Sequence, residues 1–325
     1  MPAGLKFWLE CSRWYALPMS FFSWLVVFVY GLNKDGNALY GLLALIGICF
    51  AHLATNLFDD YIDFHNLKHI KDENNLITLP NTQRGKCRYL LDGSVKLSDV
   101  LKVVMVYSLI ALLIGIFFYF SVGKLVLLFM GLAACVVLLY PFMSNIRLSE
   151  VGVALCYGPL LFGGTYYVMT GNITTESFIL SLPTMIFTVN LIYTDTFMDR
   201  EIDKKEEKKT LCNLFVSPYS ALKFQKILLI LGYLSVFLLG IFDIADWEMF
   251  FTYITIPLAV NLIASLNLYI DSPEKIPDKQ WYHFPFEDWN DIKENRSEVF
   301  MFRMYQARNL MIYFSIILAI TLYFD

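Results

Sequence analysis

Two stretches of this 325-residue chain repeat the same chemistry at the same spacing. NLFDDYID runs from Asn56 to Asp63, and DTFMDREID runs from Asp195 to Asp203. Asn56, Asp60 and Asp63 are spaced i, i+4, i+7, with Asp59 beside them, and Asp195, Asp199 and Asp203 are spaced i, i+4, i+8. On a helix each set shares one face, where stacked like charges repel. Both stretches end apolar runs, so the acids fall near helix C-termini, which is unfavourable by about 0.3–1 kcal/mol each. A carboxylate at membrane depth costs up to about 2.5–3.5 kcal/mol, and less near the interface. Solvated loop acids are the ordinary reading, but the recurrence on two spans calls for an offsetting cation. Carboxylates with an Asn amide oxygen are hard ligands that suit Mg2+ rather than zinc, and Mg2+ bound this way shares its shell with substrate phosphates. Basic side chains lie close in sequence: Arg84, Lys86 and Arg88 in RGKCR, Lys204, Lys205, Lys208 and Lys209 in KKEEKKT, and Arg13 and Arg147. Together they suit an anionic substrate held with the metal, although singly each is also an ordinary topology charge. The combination points to a diphosphate bridged by Mg2+ at the cytoplasmic edge of a membrane.

The elements that must position these residues are membrane helices. The chain is 57% hydrophobic and only 17% charged, with a mean hydropathy of +0.55. Soluble domains carry about 25% charge, so a cytosolic fold, a disordered region and a nucleic-acid binder are excluded. The net charge of −4 also argues against nucleic acid as a partner. The six cysteines form no CxxC pair, which leaves no disulfide framework or zinc site to expect. Apolar runs of span length occur at 15–33, 39–58, 101–121, 125–143, 151–170, 177–194, 227–242, 249–269 and 309–324, the seventh and ninth being short. Such runs must be helical, because lipid cannot satisfy free backbone groups. The expectation is an all-α polytopic bundle of about nine transmembrane helices, forming one integral membrane domain over 1–325. No cleavage site precedes the first span, so no cleavable signal peptide is expected. All but two of the 25 Lys and Arg residues, Lys34 and Lys124, fall on one side of the resulting topology. The positive-inside rule puts that side and the N-terminus in the cytoplasm. The segments 64–99, 200–225 and 270–303 are then the long cytoplasmic loops, and WYHFPFEDW within the last reads as an interfacial belt or amphipathic helix.

The motifs resemble the UbiA superfamily of intramembrane prenyltransferases, most closely the branch that prenylates 1,4-dihydroxy-2-naphthoate in menaquinone synthesis. SRWYALP (Ser12 to Pro18) is similar to that branch's ARPxTLP, and NLFDDYID resembles its NLxNDYxD. GKCRYLLDG (Gly85 to Gly93) resembles GPxRxxxxG, and SEVGVALCYGPLLFGGTYYVMTG (Ser149 to Gly171) resembles GEVxVFxFFGxxxxxGTYYxxxG. DREIDKKEEKKTL (Asp199 to Leu211) resembles DxExDxxxGKxTL. The likeness covers roughly residues 5–270. It departs at Trp14 and Glu207, which stand for Pro and Gly, and at Asp195, which stands for a frequent Asn. Ser144 stands where wider relatives place a Lys, so Arg147 is assigned that part.

The resemblance implies a helical bundle around a central cavity and two Mg2+ ions gripping a polyprenyl diphosphate. Asn56, Asp60 and Asp63 would hold one ion, and Asp199 and Asp203 the other. Arg88, Lys209, Arg147 and Arg13 would face the diphosphate. Tyr140, Tyr166 and Tyr167 would line the allylic cation, against a plain packing role. An aromatic ring would then attack, with water excluded. Asp59 and Asp195 suit proton handling or charge balance. His52 reads as a packed, hydrogen-bonded histidine, and His65 and His69 as solvent-exposed. A bacterial inner membrane is the implied location. Other acceptors (4-hydroxybenzoate, homogentisate, a lipid glycerol), a lipid-diphosphate phosphatase and an anionic-metabolite transporter remain open alternatives.

Overall fold

The computed structural model describes residues 4–67, 87–144, 146–205, 209–286, 289–294 and 297–324. Among the described residues every regular element is helical. The long helices are α1 (Pro18–Asn33), α2 (Ala38–Leu67), α3 (Leu97–Ser121), α4 (Leu125–Ser144) and α5 (Ser149–Thr170). They continue with α6 (Thr175–Met198), α7 (Pro218–Ile241), α8 (Trp247–Asp271) and α9 (Glu298–Phe324). Eight spans are long and apolar enough to cross a membrane, and α4 is apolar over the shorter stretch Leu125–Tyr140. The chain is thus a multi-pass integral membrane protein, and the expected nine spans become eight full-length ones and one short one. The two expected to be short, 227–242 and 309–324, start earlier because Lys223, Lys226, Arg303 and Arg308 belong to their opening turns.

Local sequence sets the helix ends. Thr174 caps α6 by accepting from the Ser177 N–H. Ser217 and Ser220 form a reciprocal cap ahead of Pro218, whose missing N–H costs nothing at a helix start. Gly171 ends α5 in the left-handed region (φ 73°), which suits a residue without Cβ. Three short connections, 34–37, 122–124 and 171–174, gather at one end of the bundle, where the Asn37 N–H donates to Met169 O at 2.8 Å. The other end carries the acidic motifs.

The core is aromatic where helices cross. Phe187 of α6 meets Phe314 of α9 at 4.2 Å and Tyr233 of α7 at 5.1 Å between ring centres. A second cluster packs Leu53 and Leu57 of α2 against Val100 and Val104 of α3, with Tyr89 and Leu90 of the short helix Arg88–Leu91. Buried polar groups pair across spans: Gln225 of α7 donates to Asn190 (3.1 Å) and Thr194 (2.7 Å) of α6.

The segment 272–286 is not a loose loop. Polar residues of α9 hold it by its backbone. Asn309 donates to His283 O, Arg308 donates to Pro285 O at 2.9 Å, and Tyr313 donates to Phe284 O. Arg303, fully buried, donates to Ser265 O at 3.0 Å and Lys275 O at 2.9 Å. His283 is buried and Trp281 exposed, so the expected aromatic belt is half packed onto α9. Arg303→Leu keeps the bulk but releases Lys275 O and strands the buried Ser265 O, at about 1–3 kcal/mol for that buried acceptor. The expected result is a clear fall in detergent-solubilised Tm; an unchanged Tm would show that the strap is held elsewhere.

Candidate active site

The first acidic motif lies in the last turns of α2, and the N-terminal segment folds over it. The short helix Leu5–Cys11 ends at Ser12, and Arg13 takes a left-handed conformation (φ 57°, ψ 50°) before the turn Trp14–Ala16. Such a backbone costs a non-glycine residue about 1–2 kcal/mol. It aims the guanidinium at α2, where Nη2 donates to Asp60 Oδ1 at 2.8 Å, Asn56 O at 2.8 Å and Asp59 Oδ2 at 3.4 Å. Asn56 returns a hydrogen bond from Nδ2 to Ser12 O at 2.9 Å. The second oxygen of Asp60 accepts from the Tyr89 hydroxyl at 3.1 Å and the Cys87 N–H at 3.3 Å. Cys87 is also left-handed (φ 57°), so two such residues flank Asp60.

Asp60 is 1% exposed and is the hub of this end. Burial opposes the Arg13 charge, but Asp60 and Asp59 outweigh it and hold the pKa above the ordinary guanidinium value. Burial, and then Asp60, push the Tyr89 hydroxyl up. The acid motifs call for an offsetting cation, and for Asp59 and Asp60 the chain itself supplies it. Arg13, expected on the diphosphate, is instead engaged with carboxylates. Tyr89 and Cys87 are site residues that the sequence reading does not single out; their only sequence signal is their place in GKCRYLLDG. Asp63, one turn on, is half-buried.

The second motif sits where α6 ends. Asp199 closes α6, and its carbonyl accepts from Ile202 N and Asp203 N to start the short helix Arg200–Lys205. The expected ladder of acids is thus broken into two helices that share Asp199. Asp199 and Asp203 are buried at 5% and 6% exposure. The junction is pinned by Tyr269 of α8, which donates to Met198 O at 3.2 Å, and Arg303 lies over the Tyr269 ring at 5.1 Å. Arg200 is buried, pairs with Glu201 and donates to Phe215 O at 2.7 Å. Glu150, at the start of α5, is a buried carboxylate that sequence reasoning passes over. It accepts from Ser149 at 2.8 Å and from Thr196, between Asp195 and Asp199, at 3.4 Å. An acid opening an apolar span is the available signal.

The remaining candidates divide. Arg88, Arg147 and Lys209 are exposed, whereas Arg84, Lys86, Lys208 and His69 lie outside the described residues, as does the His65 side chain. Tyr140 is half-buried at the acidic end, beside Gly152. Tyr166 and Tyr167 are placed away from the acids. Both are buried near the end of α5, Tyr166 against Tyr30 at 5.6 Å and Tyr167 against Phe129 at 6.3 Å. At about 1.5 Å per residue they lie roughly 24 Å from Glu150, at the opposite end of the bundle. His52 is hydrogen-bonded, as expected, to Ser20 at 2.8 Å.

Among the described residues no three His, Cys, Asp or Glu side chains converge as a complete metal cage. The donor chemistry nonetheless fits Mg2+, which usually takes one or two carboxylates and fills its shell with water and substrate phosphate. Two separate acid sets at one end of the bundle meet that requirement.

Residues 19–286 match the model of the family described as the UbiA prenyltransferase family. No curated protein matches the sequence. Among solved structures, one concerning digeranylgeranylglyceryl phosphate synthase is 18% identical, with 99% of each chain covered and a TM-score of 0.57. An apo UbiA homolog from Aeropyrum pernix K1 is 16% identical over 91% of this chain and 96% of its own, with a TM-score of 0.54. A UbiA homolog from Archaeoglobus fulgidus, bound to GPP and Mg2+, is 14% identical over 93% of this chain and 99% of its own, with a TM-score of 0.54. At these identities the likenesses establish the fold.

Proposed function

Because the chain belongs to the UbiA prenyltransferase family, we propose that this prenyltransferase moves a polyprenyl group from a polyprenyl diphosphate to an aromatic acceptor, in a Mg2+-dependent reaction. The observation that carries this reading is that two buried acid sets, from α2 and α6, lie at the same end of an apolar bundle. The Archaeoglobus fulgidus homolog, which holds a prenyl diphosphate with Mg2+, supports it. The acceptor that the motifs favour is 1,4-dihydroxy-2-naphthoate, in menaquinone synthesis. The positive-inside rule turns the active end to the cytoplasm, and the motif resemblance implies a bacterial inner membrane.

Asn56, Asp60 and Asp63 form one ligand set, and Asp199 and Asp203 the other. Mg2+ supplies Lewis acidity that stabilises charge on the leaving diphosphate. Arg88, Lys209 and Arg147 stand at the same end and add positive charge for the diphosphate. Arg13 orients Asp59 and Asp60 through its hydrogen bonds to both carboxylates, and would add its charge at the diphosphate end. The isoprenoid tail lies among the apolar helices, and Tyr140, half-buried at the acidic end, is read as the aromatic face for the allylic cation. The bundle excludes water, which would otherwise capture that cation as a prenol.

An acceptor panel tests this. Purified protein in detergent receives a long-chain prenyl diphosphate, Mg2+, and in turn dihydroxynaphthoate, hydroxybenzoate and homogentisate. The expected result is a prenylated product with dihydroxynaphthoate, lost with EDTA and restored by Mg2+. No prenylated product with any aromatic acceptor would overturn the reading. Turnover without a membrane gradient would also set aside transport.

A further inference from the structure

Three polar side chains from three spans meet inside the bundle, one helical turn below the first acidic motif. His52 lies four residues before Asn56 and eight before Asp60, on the same face of α2 and about 6 Å deeper than Asn56. Its Nδ1 is 2.8 Å from Ser20 Oγ on α1. The Tyr157 hydroxyl on α5 lies 3.2 Å from Nδ1 and 3.4 Å from Nε2. Ser20 is fully buried, whereas His52 and Tyr157 each keep part of their surface open.

Two features set this cluster apart from ordinary packing. Polar and ionisable groups at membrane depth are expensive and concentrate at working sites. Tyr157 also sits on an irregular turn: Cys156–Leu160 is a π-helical stretch containing Pro159 and a non-helical Gly158 (φ −98°, ψ −110°). Such turns re-aim side chains and recur at functional positions. A Cβ at Gly158 would lie 2.6 Å from Met185 Sδ, so the glycine lets this turn press against α6.

The imidazole has one nitrogen to spare. Ser20 occupies Nδ1 at good distance, while among the described residues Nε2 has only the long contact with Tyr157, which Nδ1 shares. With the proton on Nδ1 and Ser20 accepting it, Nε2 keeps a lone pair, and Tyr157 has a hydroxyl to donate. A base oriented by a second group through its other nitrogen is the arrangement that activates hydroxyl groups.

We propose that Ser20, His52 and Tyr157 form the site for the acceptor's ring hydroxyl, with His52 Nε2 as the base that takes its proton and Tyr157 as the donor that holds its oxygen. The proposal rests on the aromatic-acceptor reading above and deepens it. The site lies one turn inward of the acids, where the first carbon of a prenyl chain would enter from a diphosphate held at the acids. As the prenyl C–O bond breaks, its electron pair leaves on the diphosphate. The ring, made electron-rich by loss of the hydroxyl proton to His52, forms the new C–C bond from its π electrons. The substituted ring carbon then sheds its proton, or carbon dioxide where it carries a carboxylate, which restores aromaticity. In the first case the ring oxygen regains a proton and the net release is one proton, through His52. In the second, the proton on His52 returns to the oxygen.

The test compares His52→Asn and Tyr157→Phe with the unaltered protein across phenolic acceptors of graded acidity. His52→Asn keeps a polar group towards Ser20 but offers no base, and Tyr157→Phe keeps the ring packing. His52→Asn is expected to slow transfer about 100-fold or more, with KM for the prenyl diphosphate unchanged and a smaller loss for more acidic phenols. Tyr157→Phe is expected to raise KM for the acceptor while leaving KM for the donor alone. Transfer by His52→Asn within about threefold of the unaltered protein, or an equal loss whatever the phenol's acidity, overturns the proposal. If the unaltered protein prenylates no phenol, the proposed function and this inference fall together. Transfer by the unaltered protein with an indifferent His52→Asn sinks the inference alone.

Discussion

Asp199→Asn is expected to lower Mg2+-dependent prenyl transfer by about 1000-fold or more while leaving the fold intact. Loss of metal-mediated charge stabilisation is worth several kcal/mol, and each 1.36 kcal/mol is tenfold in rate. The amide has the same shape as the carboxylate and keeps an oxygen acceptor but removes the charge. At this junction the Asp199 carbonyl accepts from Ile202 and Asp203, and Tyr269 holds Met198 O, contacts that the substitution keeps. Tm should therefore barely move. Turnover and thermal denaturation measured on the same detergent preparation check both halves. Near-normal turnover would remove Asp199 from the metal assignment.

Asp60 should behave differently, because it carries structure as well as charge. Asp60→Ala leaves Arg13 with Asn56 O and the longer Asp59 contact but without its 2.8 Å carboxylate partner, and strands the Tyr89 hydroxyl and the Cys87 N–H. Breaking a buried pair from one side costs about 3–5 kcal/mol. The expected outcome is lost transfer together with a large fall in stability. Arg13→Met should destabilise too, and the double variant should lose less than the sum, because neither partner then sits buried and unpaired. Coupling within such networks is about 0.5–3 kcal/mol. Strict additivity in a double-mutant cycle of unfolding free energies would show that the pair does not hold this end together. The contrast between Asp199 and Asp60 separates metal ligation from scaffold, which treating the two motifs as equivalent cannot do.

Much of the fold is legible in the sequence because hydropathy is local. The runs at 39–58 and 151–170 become α2 and α5 with their polar ends extended, since a helix continues past the hydrocarbon wherever its side chains find water or partners. Tyr166 is readable in principle as well. The inferred direction of α5 already carries it away from the acids, but its place in the TYY motif outweighs that geometry. Glu150 is hidden for the opposite reason: a single carboxylate at a span end looks like a solvated residue until its burial is known. The His52 cluster is half visible, because one helix turn relates His52 to Asn56, whereas nothing along the chain announces that Ser20 and Tyr157 meet it.

The sequence by itself determined the class of molecule, the positions of the spans, their side-to-side charge bias and the two acid sets. These follow from spacing along one helix and from transfer free energies, which need no knowledge of neighbours. Only the tertiary structure decided which residues answer one another: Arg13 on Asp60, Tyr89 beneath it, Tyr269 on the end of α6, and Ser20 and Tyr157 around His52. Those pairings join residues up to 105 positions apart. They depend on how helices pack and where a left-handed turn points a side chain, and a single sequence does not encode that in any local pattern.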